Sequence, residues 1–424
     1  IVNHTLCKKL DEFIKDIVVS VFNNDFEKAH KIASELTNFK VLDLACGSGS
    51  FLIKALRMFW SKYKQLEEKL DKFIEDWEKN YRGSLVRPPA IERKYEYVMQ
   101  LRLLLGFGDD TQLITKIVLR HIHGNDFDRR AIEVAKVNLW LEAIKLAPRQ
   151  FNYRRLEKDV EHILPNLRAN LICGDSLVGL SLEDVLEILK TEYKNDIITL
   201  SKLRKEYLQD PTDPLLIEKI QNIKKSIKSK LTNKFLEGLN ENERKLYEDI
   251  NPTFWPLEYW YAFFNDDGTL ISQNRMGFDA ILGNPPYYIE VRQHSKDFQI
   301  YHASPLVGKY YEAKMDVFYF FIELGLDLLN IGGNLGFIIM EYWYSRTHAK
   351  TLRDKIAYNS LLYNIIHFNE YKVFEEAKGQ HNDVILLKRT KIKELLSTEI
   401  YVTDVLDPSV SVTQIHNALL KGQF

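Results

Sequence analysis

The chain is predicted to fold as an α/β protein with a doubly wound, mostly parallel sheet. Three observations carry that expectation. Short apolar runs end in glycine or an acid and are followed by helical patterns, first in FKVLDLACGSGSFLIKAL and then in KIVLRHIHGNDFDRRAIEVAKVNLWLEAI. The runs ANLICGDSL and FDAILG repeat the strand and its polar tip further along. Strand-like and helical patterns continue to alternate toward the C-terminal end. In such sheets ligands gather at the carboxyl ends of the strands, so the residue just after each run is the place to look for chemistry.

In the first unit a buried strand spans Phe39 to Leu44, with Asp43 at its carboxyl end and a helix opening near Ser50. Gly47 and Gly49 allow positive φ and close approach of the backbone to a ligand. The spacing is not G-x-G-x-x-G, and no Lys-Ser/Thr pair follows the glycines, so a cofactor without phosphates is expected. Residues 61–118 carry helical periodicity and mixed charge and read as an inserted helical lobe. The second strand, through KIVLRHIH, ends at Gly124-Asn125-Asp126-Phe127-Asp128, with a helix from about Arg130. An acid at that tip is placed to hold ribose hydroxyls. Asp126 lies nearer the strand, whereas Asp128 reads equally as the helix N-cap.

The third strand ends at Gly174-Asp175-Ser176-Leu177. Residues 181–250 are helical and mixed in charge, with a break at 210–214. They read as a two-helix insertion packed on the core, and whether it touches DNA or a partner stays open. The fourth strand, FDAILG, runs into Asn284-Pro285-Pro286-Tyr287. A helix, a Gly332-Gly333 turn and a fifth strand in LGFIIM follow, then strands in LLYNIIHFNE and DVILLKR.

Asn284-Pro285-Pro286-Tyr287 carries the most chemical information. An amide oxygen on Asn284 and the Pro285 carbonyl can each accept a hydrogen from an amino group conjugated to a flat ring. That would turn the nitrogen lone pair toward a methyl donor without a strong base. The two prolines stiffen the loop, and Tyr287 offers an aromatic face to a base. Alone, the tetrapeptide reads equally well as a turn after a strand.

At 424 residues, with 45% hydrophobic and 28% charged, the chain can bury a large core. It has no apolar stretch of about twenty residues and no signal-like N-terminus, so a cytoplasmic protein off the membrane is expected. Cys7, Cys46 and Cys173 lack C-x-x-C spacing and read as reduced thiols. His121 and His123 would share one face of the second strand and read as structural, so no metal is expected. A net charge of -1 is not that of a dedicated nucleic-acid binder, although charge can be local.

Asp43-Leu44-Ala45-Cys46-Gly47-Ser48-Gly49-Ser50-Phe51-Leu52, followed by Asn284-Pro285-Pro286-Tyr287, resembles the S-adenosylmethionine-dependent DNA adenine-N6 methyltransferases of the gamma motif order. Within them it is most similar to the large type IIG restriction-modification enzymes and related phage-defence methylases. Those enzymes usually read D-P-A-C-G-S-G, so Leu44 is a mild departure. TFWPLEYWYAFF, before the fourth strand, is also similar to their sequence there.

The resemblance implies a Rossmann-like class I methyltransferase with a seven-stranded sheet and helices on both faces. The core would occupy 1–60, 119–180 and 256–400, with helical insertions at 61–118 and 181–255. Residues 401–424 would open a target-recognition region. Asp43, Ala45, Cys46, Gly47 and Gly49 would cradle the methionine part of S-adenosylmethionine. Asp126 would take its ribose, Phe127 its adenine face and Asp175, with Ser176, its exocyclic amine. Asp316 and Phe318 would line the pocket, and Phe374 would join Tyr287 against a flipped base in double-stranded DNA. The family's Tyr-Thr-Pro motif would fall before Ile1, so nuclease and recognition domains are expected outside this chain. Glutamine-N5 or RNA methylation, or an inactive DNA-binding relative, remain as alternatives.

Overall fold

The computed structural model describes residues 1–81, 88–148, 166–368, 373, 381–391, 399–402 and 414, and every structural statement below concerns those residues. At its centre β1 (Val41–Asp43) pairs in parallel with β2 (Ile122–Asp126) on one side and β4 (Phe278–Gly283) on the other. β3 (Leu171–Cys173) extends the sheet beyond β2, and β5 (Leu329–Met340) extends it beyond β4, both in parallel. β7 (Asn382–Arg389) then lies antiparallel between β5 and β6 (Ser360–His367). The order is β3-β2-β1-β4-β5-β7-β6, with an eighth strand, β8 (Glu399–Val402), parallel to β6. All seven expected strands are present, and the carboxyl ends of every strand but β7 share one edge.

α1 (Lys8–Phe22) and α2 (Phe26–Thr37) precede β1. α3 (Ser50–Tyr81) starts after Gly49, whose φ is +85°, and runs for 32 residues without a break into the inserted lobe. Leu52, Leu56, Phe59, Tyr63, Leu66 and Leu70 form its buried stripe at three- and four-residue intervals. α4 (Pro89–Leu105) ends on Gly106 in the left-handed conformation that closes many helices. α5 (Asp110–His121) begins where the Asp109 side chain accepts from the Thr111 and Gln112 amides.

α5 corrects the expected second strand, which begins only at Ile122. Leu113, Ile114, Ile117, Val118 and His121 are buried at helical spacing, a pattern hidden inside a continuous apolar run. His121 and His123 therefore do not share a strand face. The His121 Nδ1–H donates to the Phe39 carbonyl (2.6 Å), its Nε2 accepts from the Tyr63 hydroxyl (2.9 Å), and its ring stacks on Phe59. Burial pushes its pKa down to about 3, and burial lowers His123 as well. Both rings are neutral core residues at neutral pH.

α6 (Arg129–Leu146) links β2 to β3. The second insertion is built from α7 (Leu182–Glu192), α8 (Lys194–Gln209), α9 (Pro214–Glu237) and α10 (Glu241–Leu246). Its break falls at 210–213, where the Asp213 side chain caps α9 and Pro214 takes the first helical position. The short α11 (Trp255–Glu258) carries the FWPLEYW segment, in which Trp255, Tyr259 and Trp260 are fully buried. α12 (Ser295–Ala303) follows the Asn284 loop, and α14 (Lys350–Asn359) precedes β6.

α13 (Val317–Leu328) packs on β5 and is buried on nearly every side, including Glu323, whose two carboxylate oxygens have no hydrogen-bond partner. Burial drives this carboxyl well above the ordinary range, with Asp327 and Glu312 opposing ionisation further. A carboxyl raised in the fold keeps its proton while the unfolded chain releases one, so stability falls as pH rises above the unfolded pKa of about 4.5. Glu323→Gln removes that dependence. Its stability relative to the parent should rise as pH is raised above about 4.5, read from urea midpoints.

Candidate active site

Asp43 closes β1 and is buried, its Oδ1 accepting from the Ala45 amide at 3.1 Å. The turn that follows is pinned to the neighbouring strand. The Cys46 amide donates to the Asn125 carbonyl (2.9 Å), and the Gly47 amide donates to Asp126 Oδ2 (2.8 Å). Gly47 has φ +52° and nothing near the position a Cβ would take, so the loop presents bare backbone. A Cβ on Gly49 would meet that of Ala135 at 3.2 Å, so this glycine also lets α6 approach. The Cys46 side chain packs against Gly124 of β2, and burial raises its thiol pKa.

The two acids of the second tip make different contacts. Asp128 caps α6 by accepting from the Arg130 amide, while Asp126 accepts from Gly47 and, at 2.9 Å, from the Asp128 amide. Phe127 between them is 79% exposed, so its ring stands clear of the core at the strand tip. At the third tip Asp175 Oδ1 accepts from the Leu177 amide (2.9 Å), and burial raises the carboxyl to about 6. Ser176 faces inward: its hydroxyl donates to the Leu44 carbonyl (2.5 Å) and accepts from Asn125 Nδ2 (2.7 Å), tying three strand ends together. FWPLEYW supports these tips from below. Trp255 Nε1 donates to the Ser176 carbonyl (3.2 Å), and the Tyr259 hydroxyl donates to the Gly124 carbonyl (2.8 Å).

Asn284 follows β4, next to β1 in the sheet, with Pro285 buried and Pro286 exposed. A Cβ on Gly283 would lie 2.6 Å from Asp43 Oδ1, so the last residue of β4 must be bare for Asp43 to fit. The Tyr287 hydroxyl contacts Asn284 Oδ1 and donates to the Ile338 carbonyl at 2.8 Å, while its ring stands edge-on to Phe318. Asp316 caps α13 and also accepts from the Tyr288 amide (3.3 Å) and the Tyr342 hydroxyl (2.6 Å), with burial raising it to about 6. Asp316 thus clamps the segment after Tyr287 to α13. Phe374 lies outside the described residues.

The glycine loop and all three strand tips therefore meet along one edge beside Asn284. Burial raises Asp43 to about 7, and the neighbouring charge of Asp126 adds to the rise, with no cation paired to either acid among the described residues. An exposed ring, a loop left open at Gly47 and an uncompensated acid pair suit a cofactor with an aromatic base, a ribose and a cationic sulfonium–amino acid end. No three His, Cys, Asp or Glu side chains gather as a metal site among the described residues.

Strand order, reversed β7 and this tip geometry are those of a class I S-adenosylmethionine-dependent methyltransferase. The profile of the Eco57I restriction-modification methylase family matches residues 120–374, more than half of the chain, and the chain belongs to that family. A Methanocaldococcus jannaschii protein, named as a candidate type II restriction enzyme and methyltransferase, is 24% identical over 442 aligned positions, covering 89% of this chain and 33% of that protein. The type II methyltransferase M.HincII of Haemophilus influenzae is 29% identical over 148 residues, covering 35% of this chain and 29% of its own. Among solved structures, the type IIL restriction-modification enzyme MmeI in complex with DNA aligns at TM-score 0.44 and 11% identity, over 95% of this chain and 37% of that one. This chain spans about a third of the length of those first curated relatives. No helix among the described residues is long and apolar enough to cross a membrane.

Proposed function

We propose that this chain is the catalytic part of a restriction-modification enzyme and methylates N6 of an adenine flipped out of duplex DNA, with S-adenosylmethionine as donor. The observation that carries this reading is the position of Asn284-Pro285-Pro286-Tyr287, one strand away from the Asp43–Gly49 loop and in contact with it through Gly283. Membership of a restriction-modification methylase family supports DNA as the substrate.

Gly47, Asp126, Phe127 and Asp175 would hold the donor, which supplies an electrophilic methyl group on a sulfonium. Adenine N6 is a weak nucleophile because its lone pair is delocalised into the ring. Asn284 Oδ1 and the Pro285 carbonyl accept its two hydrogens and bring the lone pair out of conjugation. The proton that N6 sheds passes to water beside Asn284 Oδ1, so no side chain need act as a strong base. Stacking on Tyr287 returns part of the few kcal/mol that unstacking the base costs.

The test is to incubate the protein with unmodified duplex DNA and labelled donor, then digest and identify the methylated nucleoside. N6-methyladenine is expected. Label on cytosine, on RNA or on a protein glutamine would overturn the assignment. Tyr287→Phe keeps the ring and removes only the hydroxyl, which contacts Asn284 and donates to the Ile338 carbonyl. It should slow single-turnover transfer about tenfold, in line with the loss of one buried hydrogen bond, while donor affinity measured by calorimetry is unchanged.

A further inference from the structure

A cleft of about 410 Å³ opens at the β3 edge of the sheet, walled by α6, by the turn Leu167–Ala169 and by α9 of the second insertion. Six cations line it, Arg129, Lys136, Arg168, Lys224, Lys225 and Lys228, against two carboxylates, Glu133 and Glu258. In a chain of net charge -1 this is a concentrated positive surface. The two acids do not neutralise it. Glu133 is paired with Lys136 at 2.8 Å. Glu258 is buried between Lys224 (2.6 Å) and Lys228 (3.3 Å); burial alone would raise its carboxyl, but the two ammoniums hold it down at about 2. One carboxylate thus offsets one of two lysines. Arg129, Arg168 and Lys225 are exposed and make no ion pair among the described residues.

The charges are spread along β3 and not focused on one point. Arg168 lies before the strand, while Arg129 and Lys228 act on Cys173 at its carboxyl end. No aromatic side chain lines the cleft, so it offers charge but no platform for a base. That combination suits the sugar-phosphate backbone, which is recognised by charge and without regard to sequence. In the order β3-β2-β1-β4 the cleft is three strands from Asn284. At about 4.8 Å per strand that is roughly 14 Å, or about four base pairs of rise, so one duplex can reach both.

We propose that this cleft is a second DNA contact, holding the phosphodiester backbone of the duplex to one side of the target adenine. The proposal rests on duplex DNA being the substrate. Its test is to neutralise two of the three unpaired cations that line the cleft, Arg168→Gln with Lys225→Gln, and to titrate a labelled duplex at several salt concentrations. The slope of log affinity against log salt should shrink by about 0.9 for each lost phosphate contact. Affinity for S-adenosylmethionine should match the parent, which shows that the fold is intact. A control pair outside the cleft, Lys15→Gln on α1 with Lys31→Gln on α2, both exposed, should leave the slope unchanged. An unchanged slope in the cleft variant, or an equal loss in the control, would overturn the proposal. Only binding is read, so failure here leaves the methyl-transfer assay untouched, and absence of N6-methyladenine in that assay does not alter the slopes.

Discussion

Asn284→Ala is expected to reduce methyl transfer by about a thousandfold or more, close to 4 kcal/mol of lost transition-state stabilisation. Donor affinity should stay near that of the parent. Asn284 sits beyond β4 and contacts Tyr287, whereas the loop amides and acids expected to hold the donor come from the ends of β1, β2 and β3. Alanine therefore removes one acceptor for the amine hydrogens and leaves the cradle in place. The amine keeps its lone pair in the ring, which raises the barrier to transfer without weakening the ground state. Single-turnover transfer gives the chemical step and calorimetry gives the donor affinity. Normal transfer by the variant would sink the role assigned to Asn284, and a parallel loss of donor binding would instead make it a structural residue.

The features that were legible in the sequence are local ones. Gly47 and Gly49 lie within a few residues of Asp43, and each acid directly follows its own apolar run, so a strand and its tip are read together. The start of β2 was not legible, because Ile117, Val118, His121 and Ile122 are buried whether the chain is helical or extended. Nor was the length of α3, although no glycine or proline lies between Ser50 and Tyr81 to stop it. The resemblance gives Ser176 to the cofactor together with Asp175, and no short stretch of sequence shows that its hydroxyl also bonds inward to Leu44, a contact spanning 132 positions. The cationic cleft draws Arg129, Arg168 and Lys225 from three separate elements, so no sequence window contains it. A sequence reader could have singled out one residue, Gly283. A glycine closing a buried strand, directly before Asn284, signals a close approach of something from outside.

That approach makes Gly283→Ala the second large effect. The added methyl would stand 2.6 Å from Asp43 Oδ1 and 3.2 Å from its Cγ, so the carboxylate must shift. Asp43 is enclosed at the centre of the sheet and anchors the Ala45 amide, so its displacement carries the glycine loop with it. A stability loss of about 1–3 kcal/mol is expected from overpacking. S-adenosylmethionine affinity should fall at least about tenfold, the 1.4 kcal/mol equivalent of a displaced loop. The origin of the effect is tested by a double-mutant cycle with Asp43→Ala. Once the carboxylate is gone the new methyl meets no oxygen, so the double variant should be no worse than Asp43→Ala alone, giving a coupling energy as large as the single Gly283 effect. Additive losses would mean that Gly283 acts through its backbone and not through Asp43. Parental donor affinity in Gly283→Ala would show that the two motifs are not mechanically joined. In the proposed mechanism, the loop assigned to the amine and the loop assigned to the donor meet at the contact of Gly283 with Asp43, so displacement of one is expected to disturb the other.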